Sequence, residues 1–403
     1  MSSAPPAITD DVINDRNAVA LRRLEALSAL AGSPSFKNRV SGAGKKTGEV
    51  NNHIHTIYSF SPYTPAMAAL KAFEAGLAAA GSVDHDSYSA ADEMRKACAI
   101  LSLGCVTGFE LRVSFRHTEF ADRKINSPDS KGIAYMTVQG IPEKAASRVH
   151  AFLAPLAAER HKRNRAMVAV LNAILQEADM DPLSYDTGVV PLSMAHEGGS
   201  VTERHILYAM SLALISRCGK GRPLLDRLST RFGVTVAPKI AALLLDTDNP
   251  YYPYDLLGVI KSSFNERIFI QPGEAECLKV EAVCEFARSI NAFPAYAYLG
   301  DVAESPTGDK KAEKFEDDFL DTLFPFLKDA GYSAVTYMPP RNTGAQLARV
   351  RSLCERYGFM EICGVDINSP RQSFNCPELL RPEFANLIDT TWALSAHEKR
   401  NEL

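Results

Sequence analysis

Residues 49–56 read EVNNHIHT, a short run that places His53 and His55 two residues apart. In a β-strand that spacing sends both side chains to the same face, so the two imidazoles can reach one point. The run then gives way to PAMAALKAFEAG at 65–76, an amphipathic helical stretch that closes on Gly76 in the C-cap role.

The same unit recurs outward from this point. LAAAGSVDH (77–85), LGCVTGFEL (103–111), IAYMTVQGI (133–141), FPAYAYLGD (293–301), AVTYMPPR (334–341) and EICGVDIN (361–368) are short apolar segments that end in polar residues. ADEMRKACAIL (91–101), KVEAVCEFARSI (279–290), FEDDFLDTLFPFLKDAG (315–331) and TGAQLARVRSLCERYG (343–358) are amphipathic helices. Strand alternating with helix predicts a parallel α/β sheet. Because each polar cluster falls at the carboxyl end of its strand, a closed barrel with its site on that face explains the layout best.

Residues 143–270 break the rhythm: RHKRNRAMVAVLNAILQEA, TERHILYAMSLALISR and PLLDRLSTRF are helical, with no run of parallel strands. The predicted organisation is therefore an N-terminal helix and linker (1–48), a first barrel part (49–142), an inserted helical subdomain (143–270), and a second barrel part with a C-terminal tail (271–403). Within the first segment, apolar residues from Val12 to Leu30 predict one helix over 11–31 that ends at Gly32 and Pro34 and stands as an appendage. Ser35 to Gly48 then reads as a flexible link.

The 403 residues are 46% hydrophobic and 23% charged, an ordinary globular composition. A net charge of -4 provides no overall positive field for nucleic acid or an anionic membrane surface, so phosphate recognition must be local. The 8 cysteines lack close pairing and read as reduced core residues. The acidic N-terminus is unlike a signal peptide and no stretch reaches membrane-span length, which makes the cytoplasm the expected address.

His53 and His55, with His85 following another apolar segment between Asp84 and Asp86, point to a divalent metal, for which imidazole and carboxylate are usual ligands. Glu110 and Asp366 each close an apolar run, where a buried carboxylate without a partner is costly. An ion pair with Arg112, Arg116 or Arg371 is the alternative partner.

These segments together resemble the PHP (polymerase and histidinol phosphatase) family. NNHIHTIYSFSPYTPAMAALKAFEAG resembles the first motif, GSVDHDSY the second and VTGFEL the third. RNRAMVAVLNAIL and GGSVTERHILYAM resemble the inserted helices of the amidohydrolase-like branch, FPAYAYLGD its LAHP strand and ICGVDINSP its closing GSDxH strand. The match runs from about 49 to 370. It implies a distorted TIM-like (β/α)7 barrel with an inserted helical subdomain, and a phosphoesterase-type hydrolase using up to three metals.

This chain departs from that pattern at Phe60, at Tyr135 or Met136, at Tyr298 and at Asn368, where the family carries further ligands. Residue by residue, the resemblance leaves His53, His55, Glu110 and Asp366 as one intact metal site, with His85 a lone remnant of another. Zn²⁺, Mn²⁺ and Fe²⁺ all suit two imidazoles and two carboxylates, at one ion per chain. Asp301 is the candidate general base or an added ligand, with a helix N-cap as its alternative. His85 and Tyr298 complete the catalytic candidates, the Tyr298 hydroxyl binding water or substrate. Arg341, and Arg116 beside His117, are placed to grip a substrate phosphate. His205, in a helix with apolar neighbours, is a further substrate candidate or a core-edge histidine.

The function these features predict is a metal-dependent hydrolase of a small phosphorylated metabolite. The alternative is a PHP-fold binding protein without hydrolase activity. A polymerase-associated editing domain is disfavoured by the lack of a polymerase-sized extension or a basic surface. Oligomeric state is written in none of these patterns.

Overall fold

The computed structural model describes residues 10–34, 36, 46–302 and 313–400. Seven strands form one nearly closed, barrel-shaped sheet in the order β1 Val50–Ile54, β2 Ala79–His85, β3 Gly104–Ser114, β4 Ile133–Gln139, β5 Phe293–Ala297, β6 Ala334–Tyr337 and β7 Met360–Cys363. Each strand begins within or beside one of the seven apolar segments, and the whole is a distorted TIM-like barrel.

One expectation is corrected. β4 runs antiparallel to both β3 and β5, while the other neighbours are parallel. Residues 115–132 join β3 to β4 without a helix, and a connection that makes no crossover returns the chain in the opposite direction. The beginning of β4 therefore shares the mouth where the other strands end, and Tyr135 sits beside Arg112.

The seam between β1 and β7 closes by unusual means. A single bridge joins Ile54 to Ile367, with His55 N–H donating to the Ile367 carbonyl at 2.9 Å and Ile367 N–H to the His53 carbonyl at 3.1 Å. Where the ladder would continue, the Asn51 side-chain amide substitutes for backbone, donating to the Val365 carbonyl at 3.0 Å and accepting from its N–H at 2.9 Å. Gly364 allows this approach, because a Cβ there would lie 2.3 Å from that of His53.

Small and branched residues, Val106, Ala295, Ala334 and Ile362, pack together with Leu394 of the C-terminal helix Ala385–Arg400. That helix covers one end of the barrel and is fixed there by Asn52 donating to Thr391 Oγ1 at 2.7 Å and by Thr107 N–H donating to Glu398 at 2.6 Å. Strand alternation sends Phe109, Leu111, Val113, Tyr296 and Val335 outward against Val283, Leu323, Leu327 and Val350 of the surrounding helices.

The helices after β1 and β2 are α3 Pro65–Glu74 and α4 Ala91–Ile100, and five more lie between β4 and the helix Val280–Ser289 that precedes β5: α5 Ala146–Glu177, α6 Glu203–Cys218, α7 Arg222–Phe232, α8 Pro238–Leu245 and α9 Tyr252–Ile268. These five share a core of their own, including Met167, Leu171, Ile206, Met210, Leu228, Ile260 and Phe264, which Phe60 joins from the loop after β1.

The N-terminal reading also changes. The stretch 11–31 forms two helices, α1 Asp10–Ile13 and α2 Ala20–Ala31, separated by a turn. They are no appendage: Ile13, Leu24, Leu27 and Leu30 pack with Met67, Leu70, Ala97 and Cys98, and the buried Arg23 donates to both Glu93 carboxylate oxygens at 2.9 and 2.6 Å. The break follows from Asn14, whose amide is drawn to the Pro62 carbonyl and the Thr64 N–H. Most of the expected link at 35–48 lies outside the described residues. All eight cysteines are unpaired, and no helix among the described residues is long and apolar enough to cross a membrane.

Candidate metal centre

His53 and His55 at the end of β1, His85 at the end of β2, Glu110 on β3 and Asp366 just after β7 meet at one mouth of the barrel. Glu110 Oε1 lies 3.7 Å from His53 Nε2, and its Oε2 lies 3.7 Å from His55 Nε2 and 3.0 Å from His85 Nδ1. His55 Nε2 is also 3.3 Å from Asp366 Oδ1. Ligand atoms around a tetrahedral ion at about 2.1 Å stand roughly 3.4 Å apart, so these separations suit a shared cation. Two triads have all their ligand atoms within 4.8 Å of one another, His53, His55 and Asp366, and His55, His85 and Glu110.

Register explains the convergence. His85 and Glu110 are direct partners across β2 and β3, so both face the same side, and the bridge from Ile54 to Ile367 brings Asp366 beside His55. Behind His55, the Ser59 hydroxyl lies 3.4 Å from Nδ1 and donates to Asp84 Oδ1 at 2.6 Å. Asp84 also accepts from the Thr56 N–H and hydroxyl, each at 2.6 Å. Asp84 therefore holds the loop that orients His55, the usual task of groups behind a metal-binding histidine. Asp366 accepts from the Asn368 amide at 2.7 Å.

The charges reinforce one another. Burial pulls His55 down, but the hydrogen bond and charge of Asp366, then Glu110 and Asp84, outweigh it and raise its pKa to about 8. Asp366 is held well below the usual carboxylate range: burial opposes this, and His55 and then His53 overcome it. Glu110 is likewise lowered, with His85 and His53 overcoming its burial. Burial takes His85 down to about 3 despite Glu110, helped by His55, Arg160 and Arg112, so it is a neutral imidazole suited to ligation.

The alternative ion pairs are absent. Arg112 pairs with Glu203 at 2.8 Å, and Arg371 with Asp255 at 2.6 Å. His85, expected to be a lone remnant, instead touches Glu110. Among the altered positions, Tyr135 lies against His85 with ring centroids 5.5 Å apart, Asn368 holds Asp366, and Phe60 packs on His205 at 5.0 Å.

Four of the other candidates stand differently from their expectation. Tyr298 has the outward parity of Tyr296, and its hydroxyl donates to Asp317 at 2.6 Å, so the position facing the barrel interior is Ala297. The Asp301 carboxylate accepts the Phe315 N–H at 2.7 Å, tying the chain after β5 to the segment before Leu320. Arg116 is six residues beyond Glu110, about 20 Å at 3.3 Å per extended residue, and donates to the Pro272 carbonyl. His205 completes a capping box at the start of α6, its Nδ1 accepting the Thr202 N–H at 3.0 Å; helix-start chemistry explains it.

Arg341 lies after β6, at the end of the barrel that carries the cluster. It is half-buried, its Nε donates to the Leu299 carbonyl at 3.1 Å, and Asp366 is among the acids whose charge it feels. Sequence reasoning missed the arginines on α5 and the acid Glu203 on α6. Arg160 and Arg163 join Arg112 in a buried network with Asp86, Glu203 and Glu276. The signal was present as repeated basic residues on the otherwise apolar helix 160–178.

No family model matches the sequence, and no curated protein matches it. Several solved structures share the fold, two of which follow. One is a protein of Bifidobacterium adolescentis provisionally named a metal-dependent phosphoesterase, at 16% identity and TM-score 0.55, covering 85% of this chain and 96% of that one. The other is an amidohydrolase from Chromobacterium violaceum with sulfate and no metal, at 16% identity, TM-score 0.52 and the same coverage. At this identity the likeness is one of fold.

Proposed function

We propose that this protein is a PHP-type, metal-dependent hydrolase of a small phosphorylated metabolite, with one divalent ion held by His53, His55, Glu110 and Asp366. The observation that carries this reading is the convergence of those four side chains from three strands at one mouth of the barrel. The two triads both use His55 Nε2, and one imidazole nitrogen has one lone pair, so the set favours one ion. When bound, the ion supplies Lewis acidity and lowers the pKa of a water from about 15.7 toward 7.

The chain's own residues supply the rest. Ser59 and Asp84 fix the ring of His55, and Asn368 fixes Asp366. Arg341, anchored among the described residues through Nε, offers its remaining N–H groups to substrate oxygens in the paired geometry that suits phosphate. His85 holds Glu110 in place as a neutral imidazole or a further ligand. The names of the two structural neighbours support hydrolysis as the general class.

A second reading, a binding protein of the same fold, is favoured by Tyr135 and Phe60 standing where the family carries further ligands. Elemental analysis of protein purified without added metal, with a panel of phosphomonoesters, phosphodiesters and small amides tested with Zn²⁺, Mn²⁺ and Fe²⁺, separates the two. The hydrolase reading expects about one ion per chain and turnover of a phosphoester, both lost in His55→Ala. An intact fold with no retained metal and no turnover would establish the binding reading instead.

A further inference from the structure

Buried arginines in this protein are paired with acids: Arg23 with Glu93, Arg112 and Arg163 with Glu203, and Arg160 with Asp86. Two half-buried arginines break that rule. Arg204, in the first turn of α6, has a guanidinium 5.3 Å from the centroid of the Phe60 ring, and its Nε is buried without a hydrogen-bond partner. Arg16 is carried in by the turn between α1 and α2 and is half-buried beside Tyr208 and Tyr254. Neither guanidinium makes a hydrogen bond or ion pair among the described residues.

Both arginines act on the same ring. His205 is pulled down to about 3, first by burial and then by Arg16 and Arg204. The acid nearest in effect to Arg204 is Asp366, which is already engaged by His55 and Asn368. Phe60, Tyr208 and Tyr254 wall the space, with ring centroids 5.4 to 6.2 Å apart. Burial raises both tyrosines, and their hydroxyls are hydrogen-bonded to one another, which leaves one phenolic proton for a ligand. Two partly desolvated cations without an acid are costly as they stand, and an anion relieves that cost.

We propose that Arg16 and Arg204, with the Tyr208 and Tyr254 hydroxyls, form an anion subsite that takes a phosphate or carboxylate group of the substrate distinct from the one that reacts. This rests on the hydrolase reading for the word substrate. The reacting group belongs at the metal ligands, of which Asp366 is the one whose charge reaches Arg204, while Arg16 lies on the side of the two tyrosines. The N-terminal helices are thereby part of the binding site.

The test is calorimetric titration of chelator-treated, metal-free protein with inorganic phosphate and, separately, with acetate; the one that binds names the group. Arg204→Gln and Arg16→Gln are each expected to weaken binding at least about 10-fold, the worth of a charged hydrogen bond. Arg204→Gln is also expected to raise the thermal midpoint, because it removes an unpaired buried cation. No binding of either anion to the wild type, equal binding by the variants, or a lowered midpoint in Arg204→Gln would overturn the proposal. Metal-free protein turns nothing over, so failure of the hydrolase reading would leave these binding results untouched.

Discussion

Two clusters of charge lie side by side at the barrel mouth and are balanced in opposite ways. In the network of Arg112, Arg160 and Arg163 with Asp86, Glu203 and Glu276, three cations meet three acids, and each arginine has a carboxylate within 2.8 Å. Opposite charges already meet there, although Arg112 Nε and Arg160 Nε are buried without a hydrogen-bond partner. In the neighbouring cluster, His53, His55, His85, Glu110 and Asp366 set imidazole nitrogens against carboxylate oxygens across 3.0 to 3.7 Å, an arrangement that a cation would complete. The network is buried throughout, whereas Asp366 and His85 are partly open to solvent; what separates the two is access and whether cations already face the acids.

The sharpest way to break this comparison is Glu203→Ala. It leaves Arg112 and Arg163 buried without their shared acid, whose own pKa those arginines hold well below the usual range against its burial. The expected loss is about 3–5 kcal/mol of stability, read by urea denaturation of metal-free protein, with metal content per folded chain unchanged. A chain of wild-type stability that no longer bound metal would reverse the assignment of the two clusters.

Glu398 sharpens the comparison, because it is an acid between the two conditions. It is buried with Arg95 only at 3.4 Å, and burial, partly offset by Arg95 and Thr107, raises it from 4.5 to about 7. Below pH 4.5 the carboxyl is protonated folded or unfolded; between 4.5 and about 7 the folded chain keeps a proton that the unfolded chain releases. This group therefore favours folding at low pH, and its contribution is lost as pH rises to about 7, by up to about 3 kcal/mol. Unfolding free energies measured from pH 4.5 to 7.5 should show a shallower decline in Glu398→Gln. Identical slopes in variant and wild type would mean that Arg95 compensates it fully.

The smallest effect concerns the support behind the ligands. Ser59→Ala should leave the fold intact and weaken metal affinity about 10–100-fold, measured by competition with a chromogenic chelator. An unchanged affinity would show that Asp84 orients His55 through Thr56 alone.

The seven strands and the residues that meet at Glu110 were legible because strand spacing and strand-end position are local properties of the chain. The reversal of β4 was less so: its apolar segment reads the same in either direction, and the only signal was the missing helix in 115–132. The C-terminal helix was passed over as a tail because its apolar residues are scattered, although Leu394 and Thr391 find their partners inside the barrel. His205, singled out by its chemistry, is satisfied by Thr202, whereas Arg204, which no local pattern marks, has a buried Nε without a partner among the described residues. The partners of Tyr298 and Asp301, Asp317 and Phe315, lie too far along the chain to be read from it.

The seam between the first and last strands has a consequence for the order of events in synthesis. Asn51 and one bridge are nearly all that the backbone offers there, and His53, His55 and Asp366 stand directly above. An ion held by those three would act as a clasp across the join. Its last donor emerges only after most of the 403 residues, so a growing chain or a fragment ending before β7 would lack both the clasp and the strand it fastens. Loading with metal would then report that the barrel has been completed.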